Sequence, residues 1–488
     1  MVNPDEIREL LAAQHEWLLV RETGRTFPLT SPEIEITIEG DKTLVGFVGD
    51  DGFHDWRLHS FEFDGNELQL DLSREFGKRE SVRLVPRIAA STLTAEVELA
   101  RLEKANEIAI LIKANFPGIK LGRVALNTDG GRLAHILFDG PDKTPLAAIY
   151  DVTGKLTVEV VLSSAILWLE KLGSRKKKPV LNIWIVCEKR HAKNLQKLHA
   201  LLTDRWKAKI TIFETKRKTE PPLIVEMPKR KIRDLWREKS RRPNPPEMRE
   251  PGRIAQQIID MSPDEIDVIY SRQGETLRFM GLPFARVRTM MGIEKAWFGV
   301  GRDRRILTDE TWDDLVEIVE QLKLYRTAET LNKRHEYYRT APEAWLESIL
   351  RRNITLLDAN LILSPIYHQF RSANDKIDLL ALRKDGRLVI IELKTQPDRS
   401  SVFQAADYWR KIELQRRRGL LDEADLFDGR PIANQPAIIY LAAPAWSFHR
   451  DFEFFAKAIS PEIELWRFEL HENWRGNVRV VAREDYRG

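Results

Sequence analysis

The chain reads as a multidomain α/β protein, and three features of its sequence carry that reading. The hydrophobic pattern switches repeatedly between a period near two and a period near 3.6, the signatures of strands and amphipathic helices. In two separate stretches the switching follows one order, helix, three strands, helix, strand, helix, strand. A length of 488 residues also exceeds what one hydrophobic core usually serves. Hydrophobic residues at 43% and charged residues at 31% are ordinary for a globular protein. No apolar run approaches the ~20 residues that span a bilayer. The N-terminal MVNPDEIRELLAAQ has no basic stretch leading an apolar core, so neither a membrane partner nor a secretory signal is expected.

Residues 1–88 read as a small N-terminal β-rich module. A helix from Pro4 to about Glu16 precedes the alternating stretches EIEITIEG, KTLVGFVG, NELQLDLS and SVRLVPRI, divided by Gly, Asp and Asn turns. Residues 89–215 form an α/β domain. A long helix from Leu93 to about Ala114 leads into strands near Arg123, at Leu133 to Phe138 and at Leu146 to Asp151. A helix from about Lys155 to Leu172, the strand VLNIWIVCE, a helix from Ala192 to Leu202 and the strand KITIFET follow. The lone cysteine, Cys187, lies in that apolar strand and reads as a buried thiol rather than a nucleophile. It can make no internal disulfide, which fits a reducing cytoplasmic setting, and no CxxC or HxH pair offers a zinc site.

Residues 216–252, rich in proline and charge, read as a basic linker with at most a helical turn around Ile232 to Lys239. Between Lys216 and Arg242 there are 11 Lys/Arg against 4 Asp/Glu. This run and the clusters Arg175 to Lys178 and Arg416 to Arg418 are candidate phosphate contacts, although solvated loops are often basic without a function. Residues 253–338 form a mixed α/β helical module ending in TDETWDDLVEIVEQLKLYR, a helix capped by Thr308 or Thr311 with acidic residues in its first turn. From 339 to 488 the order of the second domain returns. The helix TAPEAWLESILRRN carries a capping box from Thr340 to Glu343 and an early proline. The strands LILSP, KIDLLALR and RLVIIELKT follow, then a helix from Ser401 to Arg418 stopped by Gly419. The strand AIIYLAAP, a helix around Phe448 to Ala458 and the strands IELWRFEL and VRVVARE complete the domain.

Chemistry concentrates in KIDLLALRKDGRLVIIELKT, two apolar strands around Lys384-Asp385-Gly386. A three-residue turn sets Arg383 across from Arg387 and Asp378 opposite Glu392, whereas a two-residue turn shifts the pairing by one. Glu392 and Lys394, two apart, share a strand face. Carboxylates placed directly across a ladder repel, and among Val, Ile and Leu they ask for a compensating cation. Lys394 supplies part of it, and a hard divalent ion, Mg²⁺ or Mn²⁺, suits two carboxylate oxygens better. Bound magnesium keeps waters, one of which can attack a phosphodiester. The bland alternative is the polar face of an exposed hairpin, but strands lying between helices should be covered on both faces. Downstream, Gln404 and Tyr408, with Lys411 continuing their helix face, can line a phosphate-backbone groove. Lys376, beside the first carboxylate, joins Tyr408 and Lys411 as a candidate substrate contact.

With IDLLA and VIIELK in place, the stretch from about Thr340 to the C-terminus resembles the restriction-endonuclease-like superfamily, the PD-(D/E)xK nucleases. Gln404-Ala-Ala-Asp-Tyr408 is similar to the QxxxY motif of its RecB-like branch. The resemblance implies an αβββαβ core and a metal held by Asp378, Glu392, Glu347 on the preceding helix and the backbone carbonyl of Leu393. It implies that Lys394 orients or deprotonates the attacking water and that Gln404 touches the site. Ile377 stands where many members have proline. Nucleic acid is the implied partner, DNA favoured over RNA, with a homodimer or a protein partner engaged through the N-terminal modules.

Residues 89–215 then read as a degenerate copy of the same topology, with Asp151 at the position of Glu392, Thr153 at that of Lys394 and Ala134 at that of Asp378. Without the first carboxylate and the lysine this copy should not cut, leaving it scaffolding, DNA grip or pseudo-symmetric dimerisation. Two alternatives to a DNA endonuclease stay open. One is a non-catalytic nucleic-acid-binding or assembly protein with relic nuclease folds. The other is an RNA-cleaving member of the superfamily, for which 13 tryptophans leave room for base stacking.

Overall fold

The alternation of strand and helix patterns resolves into four sheets among the described residues of a computed structural model. Those residues are 3–21, 26–49, 52–65, 67–73, 79–87, 90–216, 219–240, 250–271, 274–290, 293–301, 304–363 and 378–486. They fall into two compact units, Met1–Ala100 and Arg101–Gly488. Among them no helix is long and apolar enough to cross a membrane.

In the first unit the helix Pro4–Ala12 starts at Asn3, whose side chain accepts the Asp5 N–H, a ready N-cap. Seven antiparallel strands between Glu16 and Pro86 form one sheet. Their alternating residues, among them Trp17, Phe47, Trp56 and Leu70, make a separate core with Ile7 and Leu11.

The second unit contains the repeated topology. Its first half is α1 (Ala90–Asn115, which begins in the first unit), β1 (Lys120–Leu126), β2 (Leu133–Asp139), β3 (Pro145–Asp151), α2 (Val158–Gly173), β4 (Ile183–Glu188), α3 (Lys189–Ala200), β5 (Ile210–Lys216) and β6 (Leu223–Glu226). Its second is α4 (Pro342–Arg352), β7 (Leu361–Leu363), β8 (Leu379–Arg383), β9 (Leu388–Leu393), α5 (Ser401–Arg417), β10 (Ile438–Pro444), α6 (Phe452–Ala456), β11 (Glu464–Leu470) and β12 (Val480–Asp485). Each set makes a six-stranded sheet in sequence order. Within each, the first two pairings are antiparallel, the next two parallel and the last antiparallel. The helices α2 and α5 are the crossovers that the first parallel step requires.

The copies meet through equivalent parts. The segment after α3 and the segment after α6 form an antiparallel bridge at Leu202 and Ile459. The Thr203 N–H donates to the Ala458 carbonyl at 2.9 Å, and the Ser460 N–H donates to the Leu201 carbonyl at 2.7 Å. The helices α2 and α5 pack together, and one continuous core takes in both crossover helices and both sheets.

The stretch expected as a free basic linker is anchored in its described part. Leu223–Glu226 pairs with β5 as an edge strand, a place where the preceding Pro221-Pro222 costs no ladder bond. The turn Ile232–Leu235 buries both its ends, and Trp236 packs against Trp409 of α5 with ring centroids 5.8 Å apart. Residues 241–249 lie outside the described set. Between the copies, the mixed module is a five-stranded antiparallel meander (Ile266 to Ile306) closed by the helices Arg253–Ile259 and Trp312–Tyr325.

Arg326 ties the meander to the start of α4. Its buried guanidinium donates to the carbonyls of Phe279 (3.0 Å), Tyr337 (2.7 Å) and Thr340 (2.8 Å). Burial, helped by nearby Arg475, lowers its pKa to about 9. The expected capping box does not form, because the Thr340 N–H it would use donates to the Glu336 carbonyl at 2.8 Å. The helix instead starts after Ala341 in the left-handed region (φ 46°), with no side-chain cap, and Glu343 is left for another use. Gly281, at φ +79°, completes the joint, because a Cβ there would collide with the Ala344 carbonyl.

Candidate active site

The β8–β9 hairpin fixes the first two groups. Arg383 N–H donates to the Arg387 carbonyl at 2.8 Å, closing a three-residue turn. Gly386 takes a φ of +85° there, which a residue with a Cβ adopts at a cost. The register pairs Leu379 with Ile391 and Leu382 with Leu388, so the next pair outward sets Asp378 opposite Glu392. Every residue of β9 is buried, and Glu392 is 1% exposed.

Around this pair the polar groups form a chain. The Asp378 carboxylate accepts the Leu393 N–H at 2.9 Å. Lys394 Nζ donates to Glu392 Oε1 at 2.8 Å and to Gln404 Oε1 at 3.1 Å. Gln404 Nε2 donates to the Tyr408 hydroxyl at 3.0 Å. Helical spacing of four puts those two on one face of α5. Asp398, in the turn before α5, stands 3.6 Å from Lys394 Nζ.

Electrostatics separate the two partners of the central pair. Burial, then the neighbouring Asp378 charge, raises the Glu392 pKa well above the carboxylate range despite Lys394. Burial also opposes the Lys394 charge, but Glu392, Glu343 and Asp378 together hold its pKa above the ordinary lysine value. Lys394 therefore stays cationic, and Glu392 is the group whose proton affinity is enhanced. Tyr408 is likewise raised, by burial and by Glu392.

One atom of this cluster lacks a counterpart. Among the described residues, Glu392 Oε2 is shut off from solvent and has no hydrogen-bond partner. A buried carboxylate oxygen without a donor, facing a second carboxylate, is a position a cation satisfies. Among the described residues no set of three His, Cys, Asp or Glu side chains is arranged to hold a metal ion. A hard divalent ion here would take Asp378, Glu392, the Leu393 carbonyl and water, an all-oxygen set that suits magnesium.

Other expected site residues are placed differently. Glu347 is buried, but its carboxylate lies 3.7 Å from both Arg278 of the meander and Arg351. The α4 carboxylate whose field reaches Glu392 and Lys394 is Glu343, one turn earlier. Lys411 pairs with Asp407 at 2.7 Å and lies 5.5 Å from the Tyr408 ring centre. Lys376 lies outside the described residues. The basic run that ends α5 is engaged within the protein. Arg416 and Arg417 both bind the fully buried Glu413 (2.8 and 3.1 Å), and Arg418 donates to the Glu238 carbonyl. By contrast, Arg175 to Lys178 form an exposed turn.

The sequence reading missed the loop after β10. Ser447 Oγ donates to the Thr395 carbonyl at 3.0 Å, seating this loop beside Lys394. It presents Trp446, 85% exposed, and Arg450. The available signal was an aromatic followed by His and Arg just past the carboxyl end of a parallel strand, where α/β sheets bind ligands.

The equivalent place in the first copy is built without these groups. Ala147 and Ile149 face α2 in the shared core, so Asp151, two further along β3, lies on the crossover-helix face as Glu392 does. Its partner across the ladder is Leu133; Ala134, expected there, pairs with Tyr150 and joins the core on the α1 face. The Asp151 carboxylate is fully engaged, accepting from Thr153 N–H, Thr153 Oγ1 and Leu156 N–H at 2.7–2.9 Å.

Comparison with protein-family models gives no match, and neither does comparison with curated proteins. No family is assigned. Two solved structures are weakly similar. EndoMS in apo form is 13% identical over 39% of this chain and 86% of that one, with a TM-score of 0.15. The EndoMS-dsDNA2 complex is 16% identical over 35% and 74%, with a TM-score of 0.13.

Proposed function

We propose that the chain is an Mg²⁺-dependent endonuclease of the restriction-endonuclease-like kind, hydrolysing phosphodiester bonds, with DNA as its favoured substrate. The observation that carries the reading is the orphaned, buried Glu392 oxygen beside Asp378 and Lys394. A divalent ion bound there supplies charge for the phosphate and a water acidified toward hydroxide. Asp378, Glu392 and the Leu393 carbonyl hold it, in place of the set that included Glu347. Lys394, cationic rather than basic, orients the water and steadies charge growing on the phosphate. Gln404 fixes the Lys394 ammonium through its side-chain oxygen, and Tyr408 fixes Gln404 in turn. Trp446 and Arg450 offer a base-stacking surface and a phosphate contact at the rim.

The test is incubation of the full chain with single-stranded, duplex, branched and mismatched DNA, and with RNA, in Mg²⁺ or Mn²⁺. Cleavage that needs the ion and disappears in Asp378→Ala supports the reading. Failure on every substrate ends it, and cleavage of RNA alone moves the substrate while keeping the chemistry.

A further inference from the structure

The two sheets of Arg101–Gly488 meet as the halves of a twofold dimer meet. In an isologous contact each element touches its own equivalent, and every hydrogen bond has a reciprocal. Here the bridge joins Leu202 to Ile459, each in the segment between the second crossover helix and the next parallel strand of its own copy. The two bonds beside it are reciprocal, Thr203 to Ala458 and Ser460 to Leu201, at 2.9 and 2.7 Å. The first crossover helices, α2 and α5, also lie against one another. Flanking the bridge, Trp206 meets Phe454 of α6 edge to face, with centroids 5.8 Å apart.

A dimer of identical nuclease folds brings two active sites to a duplex, one for each strand. This chain brings one. Across the pseudo-twofold from Asp378, Glu392 and Lys394 stand Leu133, Asp151 and Thr153. Asp151 is already bound by the turn that follows it, and Leu133 offers no charge at all. The contact that would recruit a second copy is filled within the chain and shares a continuous core.

We propose that the protein acts as a nickase, with one chain hydrolysing one strand of a DNA duplex per encounter while the inactive copy occupies the place of the second subunit. This rests on the nuclease reading above. In the step, a water oxygen forms a bond to phosphorus and the bond to one sugar oxygen breaks. One water proton ends on that leaving oxygen, and the other is released from the new phosphate monoester.

The experiment is a time course of supercoiled plasmid cut by the full chain in Mg²⁺, repeated over a range of enzyme concentrations. The expected result is open circle as the sole early product, formed at a rate first order in enzyme, with linear DNA arising only late through independent second nicks. Linear DNA appearing from the first time points in constant proportion to open circle overturns the inference and leaves the nuclease reading standing. Cleavage confined to single-stranded circles does the same. No cleavage of any substrate removes both.

Discussion

The two six-stranded sheets of the second unit share strand order, strand direction and crossover helices, yet they treat one position in opposite ways. In the C-terminal copy a buried glutamate and lysine stand with the half-buried Asp378 at the end of the central hairpin. In the first copy a leucine and a self-satisfied aspartate fill the same place. Because the topology forms without the buried charges, the fold does not require them. Opposed carboxylates in a sheet weaken it, and one of these has an oxygen that no other described residue satisfies. The difference between the copies separates what the fold needs from what chemistry needs.

The comparison breaks most visibly through the charges themselves. Asp378→Ala, Glu392→Ala and Lys394→Ala should each lower divalent-dependent cleavage by at least about a hundredfold, the scale of losing a preorganised charge at a transition state. Asp151→Ala in the first copy should leave the rate unchanged. Equal losses in both copies, read on a labelled duplex, would show that the first copy is not silent. Trp446→Ala, at the rim, should weaken DNA binding without divalent ion by roughly 1–3 kcal/mol, the range for one lost base stack, as read by fluorescence anisotropy. Unchanged affinity would remove Trp446 from the interface.

In the proposed mechanism Gln404 acts through Lys394, as a positioning residue. Gln404→Ala should cost about tenfold in kcat, or ~1.4 kcal/mol, with KM little changed. A rise in KM alone would mean that Gln404 binds substrate directly.

A smaller effect has the opposite sign. The Asp378 charge helps raise the Glu392 pKa, and a carboxyl group whose folded-state pKa is raised gives stability below its ordinary pKa that is lost as pH rises through the folded value. Asp378→Asn should therefore stabilise the metal-free protein, by about 1 kcal/mol or ~2–4 °C in Tm. Its advantage should be absent in acid and grow as pH rises. For the same reason, divalent affinity of the native chain should rise with pH, since the ion competes with protons for Glu392. Thermal melts in chelator at several pH values check this, and a destabilised Asp378→Asn would show that the opposed pair is not a burden.

Much of the fold could be read from local chemistry. The turn at Lys384-Asp385-Gly386 narrowed the pairing to two adjacent registers, of which the three-residue one, with Asp378 across from Glu392, is formed. The repeated element order was legible because strand and helix periods differ so clearly. What escaped depended on partners far along the chain. Glu343 and Glu347 share a helix face, and Glu347 is drawn to Arg278 of the meander, a partner sequence spacing does not reveal, while the field of Glu343 reaches the site. The prolines after Glu220 suggest a linker, whereas Ile232 and Leu235 join the shared core and Trp236 packs on Trp409 of α5. The partners of Arg416 to Arg418 could not be read, because Glu413, which binds the first two, is an ordinary surface-type residue until the fold buries it, and the Glu238 carbonyl, which binds the third, lies far off in sequence. Leu133 and Ala134 exchanged roles because one residue of register reverses every face.

The most direct test of the central claim is Mn²⁺ binding by the full chain, followed by paramagnetic resonance at neutral pH, for the native protein and for Asp378→Asn and Asp151→Asn. Saturable binding in the native chain and in Asp151→Asn, lost in Asp378→Asn, is the predicted result. Binding that survives in Asp378→Asn, or is absent from the native chain, would contradict it.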